Sequence, residues 1–264
     1  MLTFFTRAIF LSLLYSLVFL MPRVQASDEL IFDASTLIYP PYQYLENEKP
    51  KGIAVDIIQE AMSRAGPYSV KFNFYPWKRA VYLTEHGQSD LLFNAGKNRA
   101  RQQWGRYVES VLIQQRYVLF KRKQHIFSIS PDYEGSQDKV ISVRRGYLYG
   151  DGLFRQALDT DRFSAVSYSD STKQSVDQLL NHRIDLFVGD QLPVQFYIKE
   201  QGLEDQIDIV QHEGEKLEVL YWPTYILFSK ERSTPELIDK VNKAMESMKL
   251  DGSFDGIIKR YASQ

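Results

Sequence analysis

Two short apolar runs constrain this chain most. Leu91–Phe93 follows Asp90 and stops at Asn94, Ala95 and Gly96; Leu186–Val188 follows Asp185 and stops at Gly189 and Asp190. Runs this short, bounded by turn residues, fit strands buried on both faces, as a parallel sheet covered by helices requires. Each run closes a series of alternating segments. The first series opens with a predicted strand over Leu30–Ile38, then a loop at Tyr39–Tyr42, because the two prolines cannot donate to a ladder. Val55–Ala65 reads as a helix, with Ile58, Ala61, Met62 and Ala65 at helical spacing and Gly66-Pro67 as its stop. A strand over Val70–Phe74 and a helix over Arg79–His86, closed by Gly87, follow. The second series has a strand over Val140–Val143, a helix from about Gly152 to Leu158, and another beginning at Ser175–Leu180. Two further apolar strands, Tyr117–Phe120 and Tyr225–Phe228, stand between the series and after them. The chain closes with a helix whose predicted capping box is Ser233 and Glu236 and whose stripe is Leu237, Val241, Ala244, Met245 and Met248. Strands alternating with helices predict an α/β fold with largely parallel sheets.

The N-terminal segment sets the compartment. Arg7 precedes an apolar stretch over Ala8–Met21, followed by Pro22 and by Val24, Gln25 and Ala26. This is the pattern of a secretory signal over residues 1–26, cleaved after Ala26, and the apolar stretch is shorter than the ~20 residues of a spanning helix. Removing Arg7 and Arg23 from the 32 basic residues leaves 30 against 33 acidic ones, a net charge of −3. That balance argues against nucleic acid or an anionic membrane surface as a partner. With no Cys, the fold rests on its cores rather than on disulfides. The 17 Tyr, 16 Phe and 3 Trp exceed what turns and surface need, and suggest a cleft lined with rings.

Several chemistries find no support. His86, His125, His182 and His212 are scattered, none at metal-ligand spacing from another. A thiol nucleophile is excluded, and no nucleophile elbow, dinucleotide fingerprint or phosphate loop is present. No catalytic residue, metal or cofactor is therefore expected.

The segments resemble, in order, the periplasmic solute-binding proteins of family 3, the amino-acid ABC transporter type. The resemblance is carried by Tyr39–Tyr42 with Lys51–Asp56, by Trp77–Asp90, by Arg101 with Tyr107, by Arg183–Asp190, and by Leu250–Phe254 with Ile257, Ile258 and Tyr261. It implies the type II periplasmic binding fold: two Rossmann-like α/β lobes joined by a two-strand hinge. Lobe 1 would be discontinuous, residues 27–120 plus 225–264, and lobe 2 would be residues 121–224. A small polar solute, an amino acid or related amine or carboxylate compound, would bind between the lobes beyond the strand ends and be enclosed by hinge closure. The implied partners are that ligand and an inner-membrane ABC permease, with the chain monomeric and periplasmic. Two other readings remain open: a periplasmic dehydratase-like enzyme on the same fold, and a ligand-sensing partner of a membrane signalling protein.

The resemblance also implies site residues. Arg101 matches the arginine that grips a ligand carboxylate through paired donors. Asp190 matches the aspartate that accepts from a ligand ammonium, although Asp at a strand-to-helix turn also suits an N-cap. Tyr39 and Tyr42 stand where an aromatic stacks on the ligand, and Trp77 where the opposite wall carries one. Asn94 ends a buried strand and can offer polar groups, and Tyr147 stands where lobe 2 offers a small hydroxyl. Gly96-Lys97-Asn98 and Tyr147-Leu148 depart from the family's Ser or Thr at those places. An incomplete hydroxyl cradle points to a larger, aromatic or differently charged solute.

Overall fold

The computed structural model of the protein describes residues 29–147 and 149–262. The predicted signal over residues 1–26, its cleavage point and Leu148 lie outside them. The first series folds as β1 (Leu30–Thr36), a β2–β3 hairpin (Tyr44–Glu46, Lys49–Lys51), α1 (Ile53–Ala65), β4 (Tyr68–Phe74), α2 (Trp77–Glu85) and β5 (Leu91–Ala95). A short helix α3 (Arg99–Trp104), a short strand β6 (Gly105–Tyr107) and the long strand β7 (Ile113–Arg122) follow. The second series is β8 (Val140–Arg144), α4 (Leu153–Asp159), β9 (Ala165–Ser169), α5 (Thr172–Leu180), β10 (Leu186–Asp190) and α6 (Gln191–Glu200). Short strands β11 (Ile207–Ile209), β12 (Gln211–His212) and β13 (Glu215–Lys216) lead into β14 (Glu218–Ser229), then α7 (Pro235–Leu250) and α8 (Ser253–Ala262).

The strands order as β4-β1-β5-β14-β7-β10-β8-β9, with β6 beside β14 and β11 beside β7. β1 and β5 pair parallel, as do β10, β8 and β9, so each series makes a parallel sheet as expected. Within the large sheet the antiparallel pairs come from β7 and β14, which are longer than the apolar runs that announced them. β14 pairs with β5 through Tyr225–Phe228 and with β7 through Glu218–Thr224, while β7 pairs with β10 through Tyr117–Lys121. These two antiparallel strands therefore carry the chain from one parallel sheet to the other, which is the type II periplasmic binding fold.

Alternation along the strands explains how each sheet is covered on both faces. Leu91 and Phe93 enter one apolar cluster with Ile226 and Phe228, against α1, α7 and α8; Leu92 enters another with Leu227 and Ala80 of α2. In the second sheet Leu119, Leu186 and Val188 face one cluster, and Val118, Phe120 and Phe187 face the other.

The last helix corrects one expectation. The N-cap of α7 is Thr234, whose hydroxyl accepts from Leu237 N–H, and not Ser233. Pro235 takes the first helical position, where its missing N–H costs nothing and its φ is already helical. Ser233 instead donates its hydroxyl to the carbonyl of Ser229, and Glu236 falls one position short of the place a capping box requires. The predicted stripe holds: Val241, Ala244, Met245 and Met248 are buried.

Candidate functional site

The site grows from the ends of β1 and β5 and from the two crossing strands. After Thr36 the chain turns through Tyr39–Tyr42, where Tyr39 N–H donates to Gln43 O and Tyr42 N–H donates to Tyr39 O. Gly52 then passes against this turn at φ 129°; a Cβ there would lie 2.4 Å from the Tyr42 carbonyl oxygen, so only glycine fits. These contacts hold the two tyrosine rings 5.7 Å apart.

Asn94, the last residue but one of β5, adopts φ 55°, a region where Asn is among the few tolerated side chains. Its buried amide is the centre of a network. Asn94 Nδ2 donates to Gln43 Oε1 at 3.0 Å, and Asn94 Oδ1 accepts from Thr224 Oγ1 at 2.6 Å and from Gln115 Nε2 at 3.3 Å. Tyr117 donates its hydroxyl to Gln115 Oε1, and Gln43 Nε2 donates to Thr36 Oγ1. Gln115 lies on β7 and Thr224 on β14, so the strand end of one sheet is tied to both crossing strands.

Beyond β5, Asn98 caps α3 by accepting from Arg101 N–H at 2.8 Å. This places the partly buried Arg101 side chain back over the loop. Arg101 Nη1 donates to Gly96 O at 2.8 Å, and the guanidinium stands 5.2 Å over the Trp77 ring. No carboxylate lies within ion-pair distance of Arg101 among the described residues. Neighbouring Lys97, by contrast, is paired with Glu109 at 2.7 Å and sits 4.3 Å over the Tyr225 ring.

A cavity of about 490 Å³ opens above this floor, a size suited to a small ligand. Tyr39, Trp77, Asn94, Arg101 and Tyr147 line it, so five of the seven residues singled out by sequence meet there. Tyr42 and Asp190 do not. Tyr42 is buried in the apolar cluster beneath the loop and reaches Asp190 from behind. Further walls that the sequence did not single out are Trp222 and Leu220 on β14, Tyr117 on β7, and Tyr149. Trp222 explains Gly96: a Cβ there would lie 2.7 Å from Trp222 Nε1. The place of a small hydroxyl is taken by the edge of an indole. Trp222 stands among Tyr221, Tyr225 and Phe228 on β14, so the strand's own pattern does not single it out; the pairing of β14 beside β7 and β5 places it here.

Asp190 ends β10 with 2 % of its surface exposed. Its Oδ1 accepts from the Tyr42 hydroxyl at 3.0 Å and its Oδ2 from the Tyr39 hydroxyl at 3.4 Å. It occupies the N-cap position of α6, but its side chain makes no cap hydrogen bond. Burial with no cation within ion-pair distance, among the described residues, pushes the carboxyl up to about 7, while the two hydroxyl bonds pull it back down. Burial, and then the Asp190 charge, push both tyrosine hydroxyls well above their ordinary value. Asp190 therefore serves as the meeting point of the Tyr39–Tyr42 loop and the second sheet.

Residues 34–264 match the family described as bacterial extracellular solute-binding proteins, family 3. The L-cystine-binding protein TcyA of Bacillus subtilis (strain 168) is 23% identical over 225 residues, covering 84% of this chain and 77% of that protein. An ancestral arginine-binding protein bound to arginine superposes with a TM-score of 0.65 at 21% identity, covering 88% of this chain and 97% of that one. Substrate binding domain 2 of Lactococcus lactis GlnP, in an open conformation, superposes with a TM-score of 0.66 at 19% identity, covering 89% and 97%.

Proposed function

Because the chain belongs to the bacterial extracellular solute-binding proteins of family 3, we propose that it is exported and carries a small solute, an amino acid or a related amine or carboxylate compound, to an inner-membrane ABC permease. In this reading residues 1–26 are a signal removed after Ala26. Residues 27–120 with 225–264, and residues 121–224, move as two lobes about β7 and β14. The separate apolar clusters on either side of those strands support that division, as does the handover of pairing along them.

The observation that carries the reading is the cavity itself, with a partly buried arginine on its wall and no acid to neutralise it. Arg101 grips the carboxylate, since its guanidinium stays charged and offers paired donors. Trp77, Tyr39 and Tyr147 form the walls and Asn94 the floor. Tyr42 and Asp190 act behind the cavity: hydroxyls from the first lobe meet a carboxyl from the second and latch the closed form. The protein performs no reaction on what it holds; incubation with prephenate or arogenate should leave both unchanged.

A thermal-shift screen of amino acids, amines and organic acids tests the proposal. A ligand at about 100 times its Kd adds about 2.7 kcal/mol by mass action. Arg101→Ala should abolish the shift while leaving the unliganded melting temperature within a few degrees. Undiminished affinity in that variant would remove Arg101 from the site.

A further inference from the structure

The ribbon of β7 and β14 has two faces, and each looks onto a cavity. Gln115 and Tyr117 of β7, with Trp222 and Thr224 of β14, face the ligand cavity. Gln114 and Arg116 alternate to the other side, where they line a second cavity of about 510 Å³. The pairing agrees: Arg116 lies opposite Tyr221 and stands 5.5 Å over its ring, while Gln115 lies opposite Trp222. The rear cavity is walled on one side by Ile53 and by Phe254 and Ile258 of α8, and on the other by Gln191 and Leu192 of α6. It separates the two parts of the chain that the ligand cavity separates, on the opposite side of the strands that join them.

Helix α6 touches both parts. Val194 and Ile198, one turn apart, pack into a cluster of the second sheet. Leu192 and Phe196, also one turn apart, are offset from them by two residues and so face away from that sheet. Leu192 packs against the large cluster of the first sheet. The Phe196 ring stands 5.7 Å from the ring of Tyr44 on the β2–β3 hairpin. Leu192, Phe196 and Tyr44 are all absent from the lining of the ligand cavity.

When two bodies turn about a ribbon, walls that approach on one face separate on the other. Asp190 pairs with Tyr117 in the ribbon itself, so its bonds to the tyrosine hydroxyls stand near the axis. Leu192 lies behind the axis, on the wall of the rear cavity. We infer that Leu192 and Phe196 form a rear seam that opposes closure of the cleft, and so weaken ligand affinity without touching the ligand. The inference rests on the two-lobed binding reading above and adds to it residues that tune affinity from outside the site. A ligand that needs the closed form binds with its intrinsic Kd divided by the closed fraction, so a contact that must break on closure raises the apparent Kd.

The chain has no Cys, so cysteines introduced as Lys78→Cys and Asp151→Cys take spin labels uniquely. Both positions are exposed, beside Trp77 on one wall of the ligand cavity and beyond Tyr149 on the other. Pulsed electron resonance then reads the distance across the cleft. Without any solute, Leu192→Ala should raise the short-distance population at least about 3-fold over the labelled wild type. Titrated with the standard L-amino acids, putrescine and succinate, Leu192→Ala should bind whichever probe the wild type binds at least about 3-fold tighter. An unchanged or smaller short-distance population overturns the inference. So does equal or weaker binding, the result expected if Leu192 only supports the fold. Either outcome leaves the proposed function standing where the wild type binds a probe. A wild type that binds none of the probes, with the distance shift present, removes the binding reading and keeps the seam. Should Leu192→Ala fail to fold, Tyr44→Ala opens the same seam from the β2–β3 hairpin, with the same expected shift and the same overturning results.

Discussion

Asp190 is where residue-scale chemistry reads out most directly. A carboxyl normally titrating near 3.8 is raised to about 7 by burial, with two tyrosine hydroxyls opposing the rise. The folded state therefore holds its proton more tightly than the unfolded chain does. Stability linked to this group is fully present below about pH 4 and declines as pH rises toward about 7. Between about pH 5 and pH 8 the wild type should lose about 2–3 kcal/mol more than Asp190→Asn, which keeps an oxygen for one tyrosine and cannot ionise. Urea unfolding of both proteins at the two pH values measures it; parallel pH profiles would mean that the carboxyl titrates normally. The position of Asp190 was legible in the sequence because the strand before it is a plain apolar run. Its surroundings were not, because Tyr39 and Tyr42 lie 151 and 148 residues away along the chain.

At the scale of elements, local rules located most segments and erred where two of them competed. In α7 the spacing from Ser233 to Glu236 satisfies the capping-box pattern, yet Pro235 sets the helix start one residue later and makes Thr234 the cap. Thr234→Ala should cost about 1 kcal/mol in chemical denaturation, and Glu236→Ala less than about 0.5 kcal/mol. A larger loss from the Glu236 variant would restore the box. β5 shows the other kind of limit. Its apolar core reads correctly from sequence, but the left-handed φ of Asn94 and the amide network across β7 and β14 are set by what those strands bring alongside.

On the scale of the whole molecule, the two crossing strands decide how binding and stability are linked. A ligand gripped on both sides of them stabilises the chain as one unit. With a saturating ligand, at about 100 times its Kd, the melting temperature should rise by about 5–10 °C for a chain of this size, and by none in Arg101→Ala. A rise confined to one of two separate transitions would mean that the ligand touches a single lobe. The alternation of apolar runs and the loop prolines determined the α/β class and the two parallel sheets, because periodicity and turn chemistry are local properties, while the family resemblance carried by the order of the motifs implied five of the residues that line the cavity. Only the tertiary structure decided that Trp222 stands against Gly96, that Tyr42 lies behind the cavity rather than in it, and that Asp190 faces two hydroxyls instead of open space. Those are contacts between segments far apart in sequence, fixed by how β14 and β7 join the sheets, and no pattern within one segment records them.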